Sequence, residues 1–187
     1  MSDWHVIVIE GGERDARAFV SGFLADRGAD PTRVVFGDDV GLEHESLQER
    51  LRALLTGGHH AVLASPDVAR ALVDALARGG PAVGLRVVDR HSARSGSFGF
   101  AAEVFSRDVA TAIRAAIRGL PAGVRFQEHT EHEEEHAGAK GVELYAPEHH
   151  YAYRVRARLT GRLGGLLAVR RRLADIEAIE LGPLRLD

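Results

Sequence analysis

The sequence predicts an α/β unit followed by an α+β unit. Residues 1–93 are expected to form a four-stranded, parallel, Rossmann-like layer, and residues 94–187 a ferredoxin-like β-α-β-β-α-β domain. Two observations predict this division. Short apolar runs alternate with helical patterns up to residue 91, which is typical of a parallel sheet with helical crossovers. Beyond a small, polar segment near residue 95, the pattern changes to longer runs that alternate with period two.

The first half alternates strand and helix with short connections. Residues 6–9 are a continuous β-branched run, as expected of a strand buried on both faces. Ser65 followed by Pro66 is a strong signal for the start of a helix. The predicted strands are 6–9, 33–36, 60–64 and 83–88, and the predicted helical stripes are 16–24, 47–55 and 68–76.

The second half has a different order of elements. Strands are predicted near 98–105, 124–136 and 176–181, and a further strand is predicted in two pieces, 142–145 and 151–159, interrupted at Pro147. Helices are predicted at 106–117 and 163–173. In the split β-α-β-β-α-β arrangement the second and third strands are neighbours. The second strand carries an acidic tract at 128–136, and the third carries Arg154, Arg156 and Arg158 on one side. We therefore expect the acidic tract and the arginines to neutralise each other across the sheet.

Composition limits the classes of function. The chain has 187 residues, a formal net charge of −3 and no cysteine. Disulfides, thiolate metal sites and a cysteine nucleophile are therefore excluded. The small net charge gives no general attraction to polyanions, so nucleic acid is not an expected partner. No apolar run is long enough for a membrane span, and we expect a cytoplasmic protein without membrane contact.

A histidine- and glutamate-rich tract offers the first candidate site. His129, His132 and His136 lie within the acidic tract. Imidazole and carboxylate groups suit Zn²⁺ or Ni²⁺, and short tracts of this kind can bind such metals. The alternative is a solvated edge strand, in which the charges prevent edge-to-edge association.

The end of the predicted parallel sheet offers a second candidate site. Ligands of such sheets bind beyond the carboxyl ends of the strands, and carboxylates gathered there could hold Mg²⁺. The residues expected at this edge are Glu10, Gly11, Gly12, Asp38, Asp39, Ser65, Asp67 and Asp89. The alternative is that these residues only end strands and cap helices.

Residues 6–11, Val-Ile-Val-Ile-Glu-Gly, together with Asp15, resemble the opening of a Toprim domain. The resemblance covers residues 6–91. It implies Mg²⁺-dependent cleavage or joining of phosphodiesters, with Glu10 as general base and Asp67 as a metal ligand. Where that family has Asp-x-Asp, this chain has Ser65-Pro66-Asp67, so the first acid of the pair is missing.

These observations lead to two hypotheses of function. The first is a cytoplasmic binding or regulatory protein that has no catalytic centre and responds to a divalent metal. The second is a Mg²⁺-dependent, Toprim-like enzyme of the nuclease class. A homodimer is expected by analogy with other ferredoxin-like domains.

Overall fold

The structure is a computed structural model that describes residues 3–43, 58–135 and 151–187. The chain divides into two compact units, the first being Met1–Ser95 with Leu184–Asp187 and the second Gly96–Pro183. The boundary expected after residue 93 lies two residues before the observed one. The sequence did not indicate that the last four residues return to the first unit. None of the helices in the described ranges is long and apolar enough to cross a lipid bilayer.

The first unit contains a four-stranded sheet and two α-helices within the described ranges. In chain order they are β1 (Trp4–Glu10), α1 (Glu13–Asp26), β2 (Val34–Phe36), β3 (His59–Ala64), α2 (Pro66–Gly79) and β4 (Arg86–Ala93). The strands form one sheet in the order β2-β3-β1-β4. The segment predicted as a helix at 47–55 lies outside the described residues.

All three pairings in this sheet are antiparallel: β1 with β3, β1 with β4, and β2 with β3. The predicted parallel, Rossmann-like layer is therefore wrong, and the chain has an α+β fold. The prediction failed because residues 6–9 of β1 are completely buried on both faces. Strands covered on both faces are continuously apolar whichever way their neighbours run, so the apolar run does not reveal strand direction.

The core of the first unit lies between its sheet and its two helices. Ile7 and Ile9 of β1 pack with Val62 of β3 and with Leu72 and Leu76 of α2. All five side chains are at most 1% exposed. Each contributes roughly 1.5–3 kcal/mol by leaving water, which fixes the face of the sheet that the helices cover.

The C-terminal segment completes the first unit. Leu184 is fully buried, and its backbone N–H donates to the Val40 carbonyl at 3.0 Å. The Leu184 carbonyl accepts from the Glu43 N–H at 2.7 Å, and Arg185 Nε lies 2.7 Å from Glu43 Oε2. The short strand β9 (Arg185–Leu186) follows, and the Asp187 N–H donates to the Ser95 carbonyl at 3.3 Å.

The second unit has the element order β-α-β-β-α-β within the described ranges. Its elements are β5 (Ser95–Val104), α3 (Arg107–Ile117), β6 (Val124–Glu135), β7 (Tyr151–Arg162), α4 (Leu163–Ala174) and β8 (Ile179–Leu181). The sheet order is β6-β7-β5-β8, with antiparallel β6–β7 and β5–β8 pairings. The predicted strand at 142–145 lies outside the described residues.

The two faces of the second sheet differ sharply. Along β7, Tyr151, Tyr153, Val155, Ala157 and Leu159 are buried, whereas the residues between them are exposed or half-buried. Strand β5 alternates in the same way, with Phe98, Phe100, Ala102 and Val104 buried. Helices α3 and α4 contact β7. The buried face is thus the core of the unit, and the other face carries the polar residues.

The two units repeat one arrangement of strands. In each, the first strand lies between the third and the fourth, and the second strand forms an edge beside the third. No internal repeat is visible in the sequence. The fold depends on which positions are apolar, and many unrelated residues satisfy the same pattern.

Candidate functional site

The antiparallel sheet of the first unit separates the two residues predicted to be catalytic. Glu10 ends β1 and lies opposite His59, the first residue of β3. Asp67 follows the last residue of β3, Ala64, which lies opposite His5 at the other end of β1. The five residue steps between His59 and Ala64 correspond to roughly 17 Å of extended strand. Glu10 and Asp67 therefore lie at opposite ends of the sheet and do not share one metal ion.

Ser65 and Asp67 form a local pair at the start of α2. The Ser65 hydroxyl donates to Asp67 Oδ1 at 2.5 Å, and Arg33 Nε lies 3.8 Å from Asp67 Oδ2. The hydrogen bond from Ser65 holds the pKa of the Asp67 carboxyl below its usual value. Pro66 occupies the start of the helix as expected, but Ser65 uses its hydroxyl on Asp67 and not on a backbone N–H of the helix.

The other predicted edge residues, Gly11, Gly12, Asp38 and Asp39, lie with Glu10 at its end of the sheet. Arg86 Nε donates to Glu10 at 2.9 Å, and Arg17 donates to both oxygens of Asp39 at 2.7 and 3.1 Å. Asp38 lies 3.6 Å from His60 Nδ1. These carboxylates are therefore close to basic side chains of the protein itself, which reduces their attraction for a cation.

The glycines at this end have a backbone role. Gly11 has φ +143°, and its N–H donates to the Gly58 carbonyl at 2.9 Å. Gly12 is the N-cap of α1. The Gly11 carbonyl lies 3.3 Å from His60 Nε2. The two glycines thus turn the chain from β1 into α1.

Asp89 is not at an end of the sheet. It lies within β4 opposite Val8, and Asp89 Oδ2 is 3.8 Å from Nδ1 of His91. Asp89 Oδ1 accepts a hydrogen bond from the Arg90 N–H at 2.8 Å. It therefore does not join the other predicted ligand-binding residues.

The two described histidines of the acidic tract lie on opposite faces of β6. His129 stacks on Phe126 with 4.5 Å between ring centroids and lies 3.6 Å from Glu131, on the face covered by α3. His132 lies opposite Arg154 and 2.7 Å from Glu134, on the other face. His136 falls outside the described residues. Within the described ranges no group of three potential ligands could hold a metal ion.

Two arginines of α3 neutralise the face of the acidic tract that this helix covers. Neither arginine was among the predicted site residues. Arg114 donates to Glu131 at 2.5 Å and to Glu133 at 2.6 Å, and Arg107 pairs with Glu135. The hydrogen bond from Arg114 lowers the pKa of Glu133. Arg107 and Arg114 are seven residues apart, which is two helical turns, so their shared face was readable from the sequence.

Tyr153 lies beneath this ion-pair group. The Arg114 guanidinium is 4.5 Å from the centroid of the Tyr153 ring, and the tyrosine is completely buried. Burial raises the pKa of the Tyr153 phenol to about 12. The cation–π contact and the two carboxylates fix α3 against β6 and β7.

The predicted pairing of the acidic and arginine-bearing strands is present, but on the face away from Arg114. Glu128 lies opposite Arg158, Thr130 opposite Arg156, and His132 opposite Arg154. We call this the charged face; it comprises Glu128, Thr130, His132 and Glu134 of β6, Arg154, Arg156 and Arg158 of β7, Gly99, Ala101 and Glu103 of β5, and Glu180 of β8.

Two shallow depressions lie on the charged face. One has a volume of about 360 Å³ and is lined by Gly99, Ala101, Arg156, Arg158 and Glu180, among others. The other, of about 380 Å³, adjoins it at Arg156 and Glu180 and extends to Glu103 and Arg154. Both volumes fall within the range of small-molecule sites, roughly 300–1,000 Å³. The charged face is therefore a candidate binding surface of the second unit.

Comparisons with known proteins do not assign the chain to a family. No family model and no curated protein sequence matches it. A crystal structure of an unknown protein from Galdieria sulphuraria has 14% identity and a TM-score of 0.32, and the alignment covers 100% of this chain and 98% of that one. The ligand-free regulatory subunit of aspartate kinase from Thermus thermophilus has 12% identity and a TM-score of 0.33, with 93% of each chain covered. Scores this low establish neither a shared fold nor a shared function.

Proposed function

We propose that this chain is a cytoplasmic binding or regulatory protein for small molecules and that it has no catalytic centre of its own. The observation that carries the proposal is the charged face with its two depressions of about 360 and 380 Å³. Small-molecule sites combine a concave surface with a few convergent polar groups, and this face offers both.

The positions of the predicted catalytic residues support a non-catalytic role. A Mg²⁺-dependent phosphodiester enzyme needs several carboxylates around one cation. Glu10 and Asp67 lie at opposite ends of their sheet, and Glu10 is paired with Arg86. This arrangement therefore favours the binding role over the Mg²⁺-dependent, Toprim-like alternative.

Metal responsiveness is not part of the proposal. His129 and His132 lie on opposite faces of β6, each beside its own glutamate. One ion cannot draw on both side chains without rotation of the strand. The charges on the charged face also alternate in sign, so an extended polyanion such as nucleic acid would meet carboxylates beside the arginines.

Ligand-observed NMR on the full chain tests the proposal. A mixture of small anionic, cationic and neutral metabolites should contain at least one ligand with a Kd below ~1 mM. That Kd corresponds to a binding free energy of about −4 kcal/mol. The same preparation should not degrade single- or double-stranded nucleic acid in Mg²⁺. A Mg²⁺-dependent nuclease activity that the Glu10→Gln variant abolishes would refute the proposal, as would a screen in which nothing binds.

A further inference from the structure

Two arginines of the charged face lack a carboxylate partner. Arg154 donates to Glu103 at 2.7 Å and lies 3.9 Å from Glu134, so its charge is compensated. Arg156 and Arg158, on the same side of β7, form no ion pair within 4.0 Å with any residue of the described ranges. Two neighbouring guanidinium groups that form no close ion pair retain N–H donors for an anion.

The surface beside these arginines is recessed, because small residues lie next to them. Their neighbours on β5 are Gly99 and Ala101, and Gly99 lies against the Ala157 carbonyl between the two arginines. Because Gly99 has no side chain and Ala101 has only a methyl group, they form the bottom of the depression. Arg156 and Arg158 line one of its sides. Glu180 of β8, directly opposite Ala101, stands on the other side.

We propose that Arg156 and Arg158 bind the oxyanion group, a carboxylate or a phosphate monoester, of a small molecule lying in this depression. The proposal deepens the binding function proposed above and rests on it. A guanidinium group presents N–H donors in a planar fork that matches carboxylate and phosphate oxygens. Two such forks on one strand can hold a single oxyanion from two directions.

The surrounding carboxylates limit the size and charge of the ligand. Glu128 lies opposite Arg158 on the neighbouring strand β6, and Glu180 lines both depressions. A compact oxyanion fits between them, whereas a second anionic group further along the sheet would be repelled. The second depression, which shares Arg156 and Glu180, provides about 380 Å³ for the uncharged or cationic remainder of the ligand.

NMR of ¹⁵N-labelled full-length protein tests this site. Inorganic phosphate and acetate are added separately, with chloride keeping the ionic strength constant. The amide signals of Gly99, Ala101, Arg156 and Arg158 should shift with saturation in at least one series. Response to both probes identifies a carboxylate-tolerant site, and response to phosphate alone identifies a phosphate monoester as the ligand group.

Variants then locate the site. In Arg156→Ala/Arg158→Ala the affinity should fall about tenfold or more, because the loss of a single charge-assisted hydrogen bond of about 1.4 kcal/mol already corresponds to tenfold. Arg172→Ala, which removes an exposed arginine of α4, should bind as the unmodified protein does. Glu180→Gln should bind roughly two- to threefold more tightly, since it removes a repulsive charge.

Three outcomes would overturn the site: chloride alone causing the same shifts, the double variant keeping its affinity, or no saturable shift with either probe. Failure of the site is distinguishable from failure of the proposed function. If the metabolite mixture still yields a ligand whose shifts map elsewhere, the protein is a binding protein and only the arginine site is wrong.

Discussion

Gly11 adopts φ +143°, a backbone conformation that residues with a Cβ rarely adopt. The position looked like a ligand-binding glycine in the sequence, but the structure gives a local reason for it. A Cβ atom there would lie 2.6 Å from Leu85 Cδ2 and 2.7 Å from the Gly84 carbonyl oxygen. The side chain of Leu85 can move, but the backbone oxygen cannot easily do so.

Gly11→Ala should therefore lower the free energy of unfolding by about 1–3 kcal/mol, the usual cost of a strained backbone position. Urea unfolding followed by far-UV circular dichroism measures the change. Gly22→Ala is the matched control, because Gly22 lies within α1 and a Cβ there would meet no atom within 4 Å. The free energy of unfolding of that variant should rise by about 0.5–1 kcal/mol, because alanine has a higher helix propensity than glycine. Two changes of the same sign would contradict the backbone role of Gly11.

At the scale of elements, Arg114 is the side chain of α3 that makes the most polar contacts with β6 and β7, three in all. Arg114 binds Glu131 and Glu133 and lies over the ring of Tyr153. Its side chain is 29% exposed, so these ion pairs are less screened than typical surface pairs. Arg156 has no comparable contacts within the described ranges, although the sequence predicted that it would neutralise the acidic tract.

Arg114→Ala should lower the free energy of unfolding by about 1–2 kcal/mol, through the lost charge-assisted hydrogen bonds and the cation–π contact. Arg156→Ala should change it by no more than about 0.5 kcal/mol, as for most surface substitutions. Thermal unfolding of the two variants at low and high salt measures these changes in stability. The destabilisation by Arg114→Ala should become smaller as the salt concentration rises, because salt screens the ion pairs. Equal destabilisation by both variants would contradict a special role of Arg114 in neutralising the tract.

The local sequence pattern predicted where strands and helices lie, but not the direction in which neighbouring strands pair. Apolar periodicity located strands such as β3 and β7 and the helix α3, whose first turn the Ser106 hydroxyl caps by accepting from the Val109 N–H. The direction of β3 relative to β1 depends on contacts distant in sequence, which a continuous apolar run does not encode. Glu10 and Asp67 were expected at one edge because β1 and β3 were expected to be parallel, and the antiparallel pairing places them at opposite ends of the sheet.

The charged face was predictable in part. Alternation placed Arg154, Arg156 and Arg158 on one side of β7, and the strand order placed β6 beside them. The depression depends on Gly99 and Ala101 of β5, two small residues that no sequence pattern marked as part of a site. Recognising them required the neighbour relation of β5, β7 and β8, which is a property of the whole sheet.

The whole molecule is not divided simply along the chain, because Leu184–Asp187 belongs to the first unit while the residues just before it belong to the second. Leu184 is completely buried, and backbone hydrogen bonds tie it to Val40 and Glu43. The first unit should therefore need the last residues of the chain for its stability, although 88 residues of the other unit, Gly96–Pro183, intervene.

Leu184→Ala should destabilise the first unit by about 2–5 kcal/mol, the usual range for a leucine truncated in a core. Trp4 is the only tryptophan and lies in β1, so the fluorescence midpoint in urea reports this unit. Leu186→Ala is the control, since Leu186 is only half-buried, and it should shift the midpoint much less. If Leu184→Ala left the Trp4 transition unchanged, the C-terminal segment would not be part of the first core, and the division of the chain would be sequential after all.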